Sequence, residues 1–300
     1  MNEVVTVGIP FCSETEDLVL AVASVRSQTM EAWRLVLVAD GATDSALRLA
    51  KKLCDGRIAL WNDGERRGLA ARLNELSRDC ETRYLARMDA DDVMHPSRLE
   101  RQVTHLEQHP TCQLVGTGAY VMDERNQVYG VRQTAELTDT AAAVVRNDFL
   151  IHPSVLGRSA WFRGQPYDES YRRSQDKELW CRTWGPGRFS RIPEPLLFFR
   201  SPRSISWPKY SASCAMDRRL MRVHGTRLVG RPTAWWRIGA SFGKQALAWT
   251  AIRAGRDDVL VRGRSCQLLP TERERGQRIL DEIAASGREL LSAMAEAETC

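Results

Sequence analysis

The stretch Tyr84-Leu85-Ala86-Arg87-Met88-Asp89-Ala90-Asp91-Asp92 runs from apolar residues straight into a group of carboxylates. Its first five residues have the make-up of a buried strand, and the acids fall at once past its carboxyl end. Upstream, the same rhythm repeats. Val4 to Ile9 is rich in β-branched residues and is expected to stop as a strand at Pro10. Leu35 to Val38 and Ile58 to Trp61 are the second and third strands. Helical stretches lie between them: Leu18 to Val25 after a capping-box spacing across residues 13–16, Asp44 to Leu53, and Gly68 to Cys80. Apolar strands separated by single helices imply an α/β fold with a mainly parallel sheet and helices on both faces. Ligands of such sheets bind outside the carboxyl ends of the strands, where Asp40 and Asp89 fall.

Downstream the pattern loosens. A helix is expected from Pro96 to Gln108, ended by His109-Pro110, then a strand from Leu114 to Val121. Asp123 to Asn126 reads as a turn and Val128-Tyr129 as the return. A mixed region extends to Ser206, after which the sequence becomes basic and rich in tryptophan. Thr271 to Ala297 reads as a charged amphipathic helix or a pair of helices.

Composition bounds the class. The chain has 300 residues, 43% hydrophobic and 27% charged, which suits a globular protein of one large α/β domain with an appendage. The net charge of +5 is uneven: residues 201–264 hold 13 Lys and Arg against 3 Asp and Glu, and the remainder is mildly acidic. Neither a signal peptide nor an apolar run of the roughly 18 residues a spanning helix needs is read, so a cytoplasmic location is expected. The eight cysteines form no Cys-x-x-Cys and are expected to be free thiols. Pro10-Phe11-Cys12-Ser13 after the first strand is no dinucleotide fingerprint. Gly239 to Lys244 has the wrong spacing for a phosphate loop.

Four positions can carry chemistry. The close carboxylates Asp89, Asp91 and Asp92 repel one another, and a hard cation such as Mg²⁺ or Mn²⁺ would relieve them. The plainer reading is a solvated turn that caps the next helix. Asp40 can bond a nucleobase or ribose, or simply close an Asx-turn before Gly41. Asp176, beside Leu179-Trp180, fits either a general base or a helix-start acid. His152-Pro153 follows a short apolar run and is either structural or close to a substrate.

Taken in order, these pieces resemble a family 2 glycosyltransferase of the GT-A fold, over about residues 3–207. The blocks are Val5 to Phe11; Ser24 to Thr29 with Val38 to Asp44; Arg67 to Ala70 with Asn74; Met88 to Asp92 running on to His95 to Leu99; and His152 to Val155 with Tyr167-Asp168 and Gln175 to Trp180. Phe199-Arg200 and Ser204 to Ser206 also fit. The resemblance implies a Rossmann-like catalytic domain over 1–206, with a nucleotide-binding half (1–95) and an acceptor half (96–206), and leaves 207–300 as a basic, mostly helical C-terminal extension. It implies that Pro10, Phe11, Asp40, Arg67 and Asp89 meet the nucleotide-sugar. Asp89 and Asp91, the Asp-x-Asp pair, would hold the divalent metal. Asp176 would be the general base, with His152 and Trp180 on the acceptor side. The implied reaction is inverting transfer from a nucleotide diphosphate-sugar, with UDP the default, to a glycan or lipid-linked acceptor in cell-surface polysaccharide or glycolipid synthesis. Gln175 stands where this family more often has Glu, Ala39 where Asp is frequent, and Ser201-Pro202-Arg203 lacks a His often found there.

Two other classes compete. Asp89-Ala90-Asp91-Asp92-Val93 fits the motif of haloacid-type phosphatases, with Asp89 as covalent nucleophile, although there the motif follows the first strand. A nucleotide-sugar-binding subunit without catalysis is the third. In the extension, Trp235, Ile238, Phe242, Ala246 and Trp249 recur at helical spacing, with Arg237 and Lys244 on another face. That helix either packs its aromatics on the catalytic domain or lies in a membrane interface, at the inner face of the membrane. No nucleic-acid partner is expected.

Overall fold

The computed structural model describes residues 3–13, 16–146, 149–201, 206–256, 260 and 265–299. The capping-box spacing over 13–16 and the matches at Pro202-Arg203 and Ser204-Ile205 lie wholly or partly outside the described residues.

The first four strands, β1 (Val5–Phe11), β2 (Trp33–Ala39), β3 (Ile58–Trp61) and β4 (Tyr84–Arg87), are all parallel in the spatial order β3-β2-β1-β4. They alternate with α1 (Glu16–Arg26), α2 (Asp44–Leu53) and α3 (Leu69–Asp79). Thr43 opens α2 by accepting the Ala46 amide at 3.3 Å, and Lys51 and Lys52 close its last turn against the helix dipole. β1 differs from expectation by running through Pro10. The Gly8 carbonyl accepts the Met88 amide on the β4 side, and Pro10, two residues on, faces that same side where the β4 ladder has already ended at Gly8. The missing N–H therefore costs no ladder bond.

Beyond β4 the sheet changes character. β5 (Val93–Met94), α4 (Arg98–Gln108), β6 (Leu114–Met122), β7 (Val128–Arg132), α5 (Ala141–Val144), a 3₁₀ turn at His152–Ser154, β8 (Leu156–Arg158), α6 (Ser159–Gly164), α7 (Gln175–Thr183) and β9 (Phe189–Arg200) follow. β8 runs antiparallel to β4 and to β6, β9 is parallel to β6, β5 lies antiparallel on β9, and β7 forms a hairpin with β6. The sheet is thus parallel in its first half and mixed in its second. A fully buried core of aliphatic residues, including Ile9, Leu35, Leu37, Leu53 and Ile58, lies between the first strands and their helices.

The C-terminal part is α8 (Trp207–Leu220), a π-helical turn Met221–Gly225, α9 (Thr226–Val229), α10 (Arg231–Arg253) and α11 (Pro270–Thr299). A Cβ on Gly225 would come within 2.9 Å of Ala234 Cβ, so the π turn and α10 approach more closely than any larger residue permits. The core-facing residues of α10 are Ala234, Ile238 and Ala248. Of the five periodic residues expected on one face, Ile238 alone is buried. Trp235 is 59% exposed and Phe242 54%, so these aromatics are not buried against the rest of the chain. α11 folds back across the sheet, where Leu280 and Ile283 pack with Leu20 and Ala23 of α1 and with Tyr120, Met122 and Val128. The seven described cysteines are free. Among the described residues no helix is long and apolar enough to cross a membrane.

Candidate active site

The turn after β4 gathers Asp89, Asp91 and Asp92 so that one carboxylate oxygen from each lies within 4.8 Å of the others. Their environments differ. Asp89 pairs with the buried guanidinium of Arg87, two residues back on the strand. Asp92 is buried; its Oδ1 accepts the Arg200 amide at 2.8 Å, while Oδ2 is buried with no partner. Burial, then the charges of Asp89 and Asp91, push its pKa well above the usual carboxylate range. Asp91 reaches solvent, but the turn packed around its carboxyl strips water from it and, with Asp89 beside it, raises its pKa too. Arg200 fixes the turn: its guanidinium donates to the Asp91 carbonyl (3.0 Å), the Asp123 carbonyl (2.8 Å) and Asn126 Oδ1 (2.8 Å), and pairs with Asp17 at 2.8 Å. Hard oxygen donors, an orphaned buried carboxylate oxygen and raised pKa values together fit a divalent cation of the Mg²⁺ or Mn²⁺ kind.

Asp89 also faces a cleft of about 400 Å³, which Arg87, Leu69, His152 and Asp176 line with it. Asp176 is the second residue of α7, and the chain enters that helix through Ser174 in a left-handed conformation, φ 57°. A non-glycine residue held there is strained, and here the strain sets the first turn of α7 at the cleft. Burial raises the Asp176 pKa, with the Lys177 charge pulling it partly back. His152 Nε2 lies 3.0 Å from the Tyr167 hydroxyl, and burial holds its pKa well below the ordinary value, so the ring is neutral. Trp180 sits one layer behind, only 1% exposed, edge-on to His152 at 6.0 Å; it supports the cleft wall without lining it.

Asp40 has a different task. The chain leaves β2 through Gly41 at φ +62°, where a Cβ would meet Arg66 Cβ at 2.7 Å. Rather than closing its own turn, the Asp40 carboxylate accepts the Arg67 amide at 2.7 Å and the Gly68 amide at 2.9 Å, at the N-terminus of α3. Arg72 Nε donates to it at 3.3 Å; that guanidinium is 3% exposed and also binds Asp63 (2.6 Å) and Glu75 (2.9 Å). Arg67 pairs with the same Asp63 and Glu75 at 2.8 and 3.1 Å. Pro10 and Phe11 end β1 beside Asp40, with Phe11 buried. These three and Arg67 stand next to the cleft but outside its lining, joined to it through Leu69. Sequence reasoning missed Arg87 and Arg72. A lone cation within the apolar run Tyr84 to Met88 was the signal for Arg87, and Glu75 three residues after Arg72 was the signal for the second.

The profile of the family described as Glycosyl transferase family 2 matches residues 6–170. The protein named glycosyltransferase EpsE of Bacillus subtilis (strain 168) is 34% identical over 237 residues, covering 76% of this chain and 83% of that protein. Amylovoran biosynthesis glycosyltransferase AmsE of Erwinia amylovora is 27% identical, covering 62% of this chain and 71% of its own. Among solved structures, S. aureus TarS 1-349 superposes with a TM-score of 0.58 at 12% identity, covering 99% of this chain and 91% of that one. TarS 1-349 in complex with UDP-GlcNAc gives 0.56 at 12% identity, covering 74% and 67%. The fold is therefore that of GT-A enzymes.

Proposed function

The chain belongs to glycosyltransferase family 2, and on that premise we propose that it is an inverting transferase that moves a sugar from a nucleotide diphosphate-sugar, a UDP-sugar, to an acceptor hydroxyl in cell-surface polysaccharide or glycolipid synthesis. The observation that carries this reading is that Asp176 and Asp89 face one cleft. UDP-GlcNAc binding by the TarS neighbour supports the donor class, and relatives named for amylovoran and O-antigen biosynthesis support the polysaccharide setting. Membership in this family leaves no place for the phosphatase reading of Asp89.

In the proposed reaction Asp176 accepts the proton of the acceptor hydroxyl. The hydroxyl oxygen attacks the anomeric carbon from the face opposite the diphosphate. The bond from that carbon to the diphosphate oxygen breaks, the departing oxygen keeps the electron pair, and the centre inverts. The raised pKa of Asp176 makes it a stronger base than an exposed aspartate. His152, neutral and tied to Tyr167, holds the acceptor side without adding charge. Asp89 and Asp91 would hold Mn²⁺ or Mg²⁺, which when bound neutralises charge on the leaving diphosphate. Arg87 orients Asp89 for that task. Pro10, Phe11, Asp40 and Arg67 would border the nucleotide, with Asp40 holding the α3 N-terminus in place beside it.

Residues 1–206 are proposed as the catalytic part, its nucleotide half ending near 95, and 207–300 as an extension whose α10 lies at the inner face of the membrane while α11 packs back on α1. The exposed Trp235, Trp236 and Phe242 support the membrane placement of α10. Transfer measured with a panel of nucleotide sugars and Mn²⁺ tests the reading. Asp176→Asn should abolish transfer and keep nucleotide binding; turnover near wild type would remove Asp176 as the base.

A further inference from the structure

A second and larger cavity, about 780 Å³, adjoins the Asp176 cleft, between α7, α8 and α10. Its lining holds seven Lys and Arg side chains against one carboxylate, Asp217, which Lys177 already neutralises at 2.7 Å. α8 contributes Lys209 and Arg218, and α10 contributes Arg237 and Lys244. Among the described residues no carboxylate pairs with Lys209, Arg237 or Lys244. Arg237 Nε is buried without a hydrogen-bond partner. Arg218 is held in place by Gln245 Oε1 (2.7 Å) and Ser241 Oγ (3.2 Å), both neutral, and lies over the Phe242 ring. A concave site with this many uncompensated cations and a buried unpaired donor is built for a multiply charged anion.

Its position says which anion. The cavity shares Arg173 and Ser213 with the Asp176 cleft, and Arg173 donates to Ser213 Oγ at 3.2 Å on the boundary between them. Lys177 lines it and directly follows Asp176. Asp89 lines the cleft but not this cavity. A donor bound at the acidic turn therefore meets the cleft at Asp89, and whatever the basic cavity holds meets it at the Arg173–Ser213 boundary.

We propose that this cavity binds a phosphate or diphosphate group on the acceptor, anchoring it so that its hydroxyl reaches Asp176. The inference rests on the transferase reading and adds the acceptor's chemical class. Pyrophosphate, titrated calorimetrically into the full chain with EDTA present, is expected to bind wild type and to lose about tenfold or more in affinity in the double variant Arg237→Gln/Lys244→Gln. The melting temperature reports that the variant is folded. No binding by wild type, or equal affinity in the variant, overturns the proposal. A parallel titration of UDP with Mn²⁺ reads the transferase site separately. Joint loss of UDP and pyrophosphate affinity in the variant assigns the cavity to the donor and overturns the acceptor reading. Variant-sensitive pyrophosphate binding without any UDP binding keeps the anion site and removes the transferase reading. Flotation with phosphatidylcholine vesicles, with and without an equal part of phosphatidylglycerol, distinguishes the sources. Anionic-vesicle binding that the double variant abolishes supports a lipid headgroup; variant-sensitive pyrophosphate binding without flotation supports a phosphorylated acceptor in solution.

Discussion

At the end of β2, Asp40, Asp63 and Glu75 share the buried guanidinium of Arg72, Arg67 pairs with two of them, and two backbone amides finish the Asp40 shell. At the end of β4, three carboxylates have Arg87 on Asp89, a backbone amide on Asp92 and an orphaned Asp92 oxygen. The titration behaviour follows. The hydrogen bond from Arg72 holds Asp63 below the usual carboxylate range, whereas Asp91 and Asp92 are raised. Similar residues at the carboxyl ends of the two strands that flank β1 therefore do unlike work. The first cluster is complete within the chain and holds α3; the second is under-compensated and, like Asp176, is poised for a ligand.

The comparison breaks first at Asp176. Asp176→Asn should lower kcat by about 10³-fold. It should also raise, not lower, the melting temperature at pH 7, because it removes a charge that burial penalises; a drop in stability with activity kept would overturn both claims. Next, Arg72→Ala should destabilise by about 2–4 kcal/mol in urea titrations, since it strands three carboxylates that partly reach solvent. Arg72 lowers the Asp63 pKa, so its contribution is full above the ordinary carboxylate value of about 4 and is lost as pH falls through the depressed one. The gap between wild type and variant should therefore narrow in acid. At the β4 cluster, Asp91→Ala should weaken Mn²⁺-dependent UDP binding by about a hundredfold, as even groups behind metal ligands are worth 10–100-fold. Unchanged calorimetry would return that turn to a purely structural role.

Two smaller effects sharpen the contrast. The acid limb of kcat/KM should lie above the ordinary aspartate pKa of about 3.9, because the base works ionised and its pKa is raised; activity falls as pH drops through the raised value. In α10, Trp236→Ser should shift stability by no more than about 0.5 kcal/mol, while Ile238→Ala costs about 2–4 kcal/mol. The first residue is 71% exposed and the second 6%.

The parallel first half was legible because each strand is a continuous apolar run whose helix carries its own start and stop residues; α2 spans Asp44–Leu53 and β3 Ile58–Trp61 in both sequence and structure. The β1 end was not legible, since whether Pro10 breaks a strand depends on where the neighbouring strand stops. The mixed second half escaped for a similar reason: β8 and β5 are three and two residues long, too short for a period. In the site, Asp89 and Asp91 were marked by position after a strand and by resemblance, and Asp176 by its place just before Leu179-Trp180 and by resemblance. The part that Asp40 plays in holding α3 was hidden, because its partners lie 27 to 32 residues away. Nor does helical periodicity say which face of α10 meets a neighbour; its aromatic side is the outer one.

α11 places residues 270–299 on helix α1, with Gly287 over Ala23 and Leu20. During synthesis from the N-terminus, the outer face of α1 must wait for some 260 further residues before its cover leaves the ribosome. β1 to β4 can form early, but α1 carries an open apolar stripe until residues 270–299 have been made. Covering of α1 thus waits on α11, and nascent chains cut short before α11 are the forms that chaperones and proteases are expected to meet.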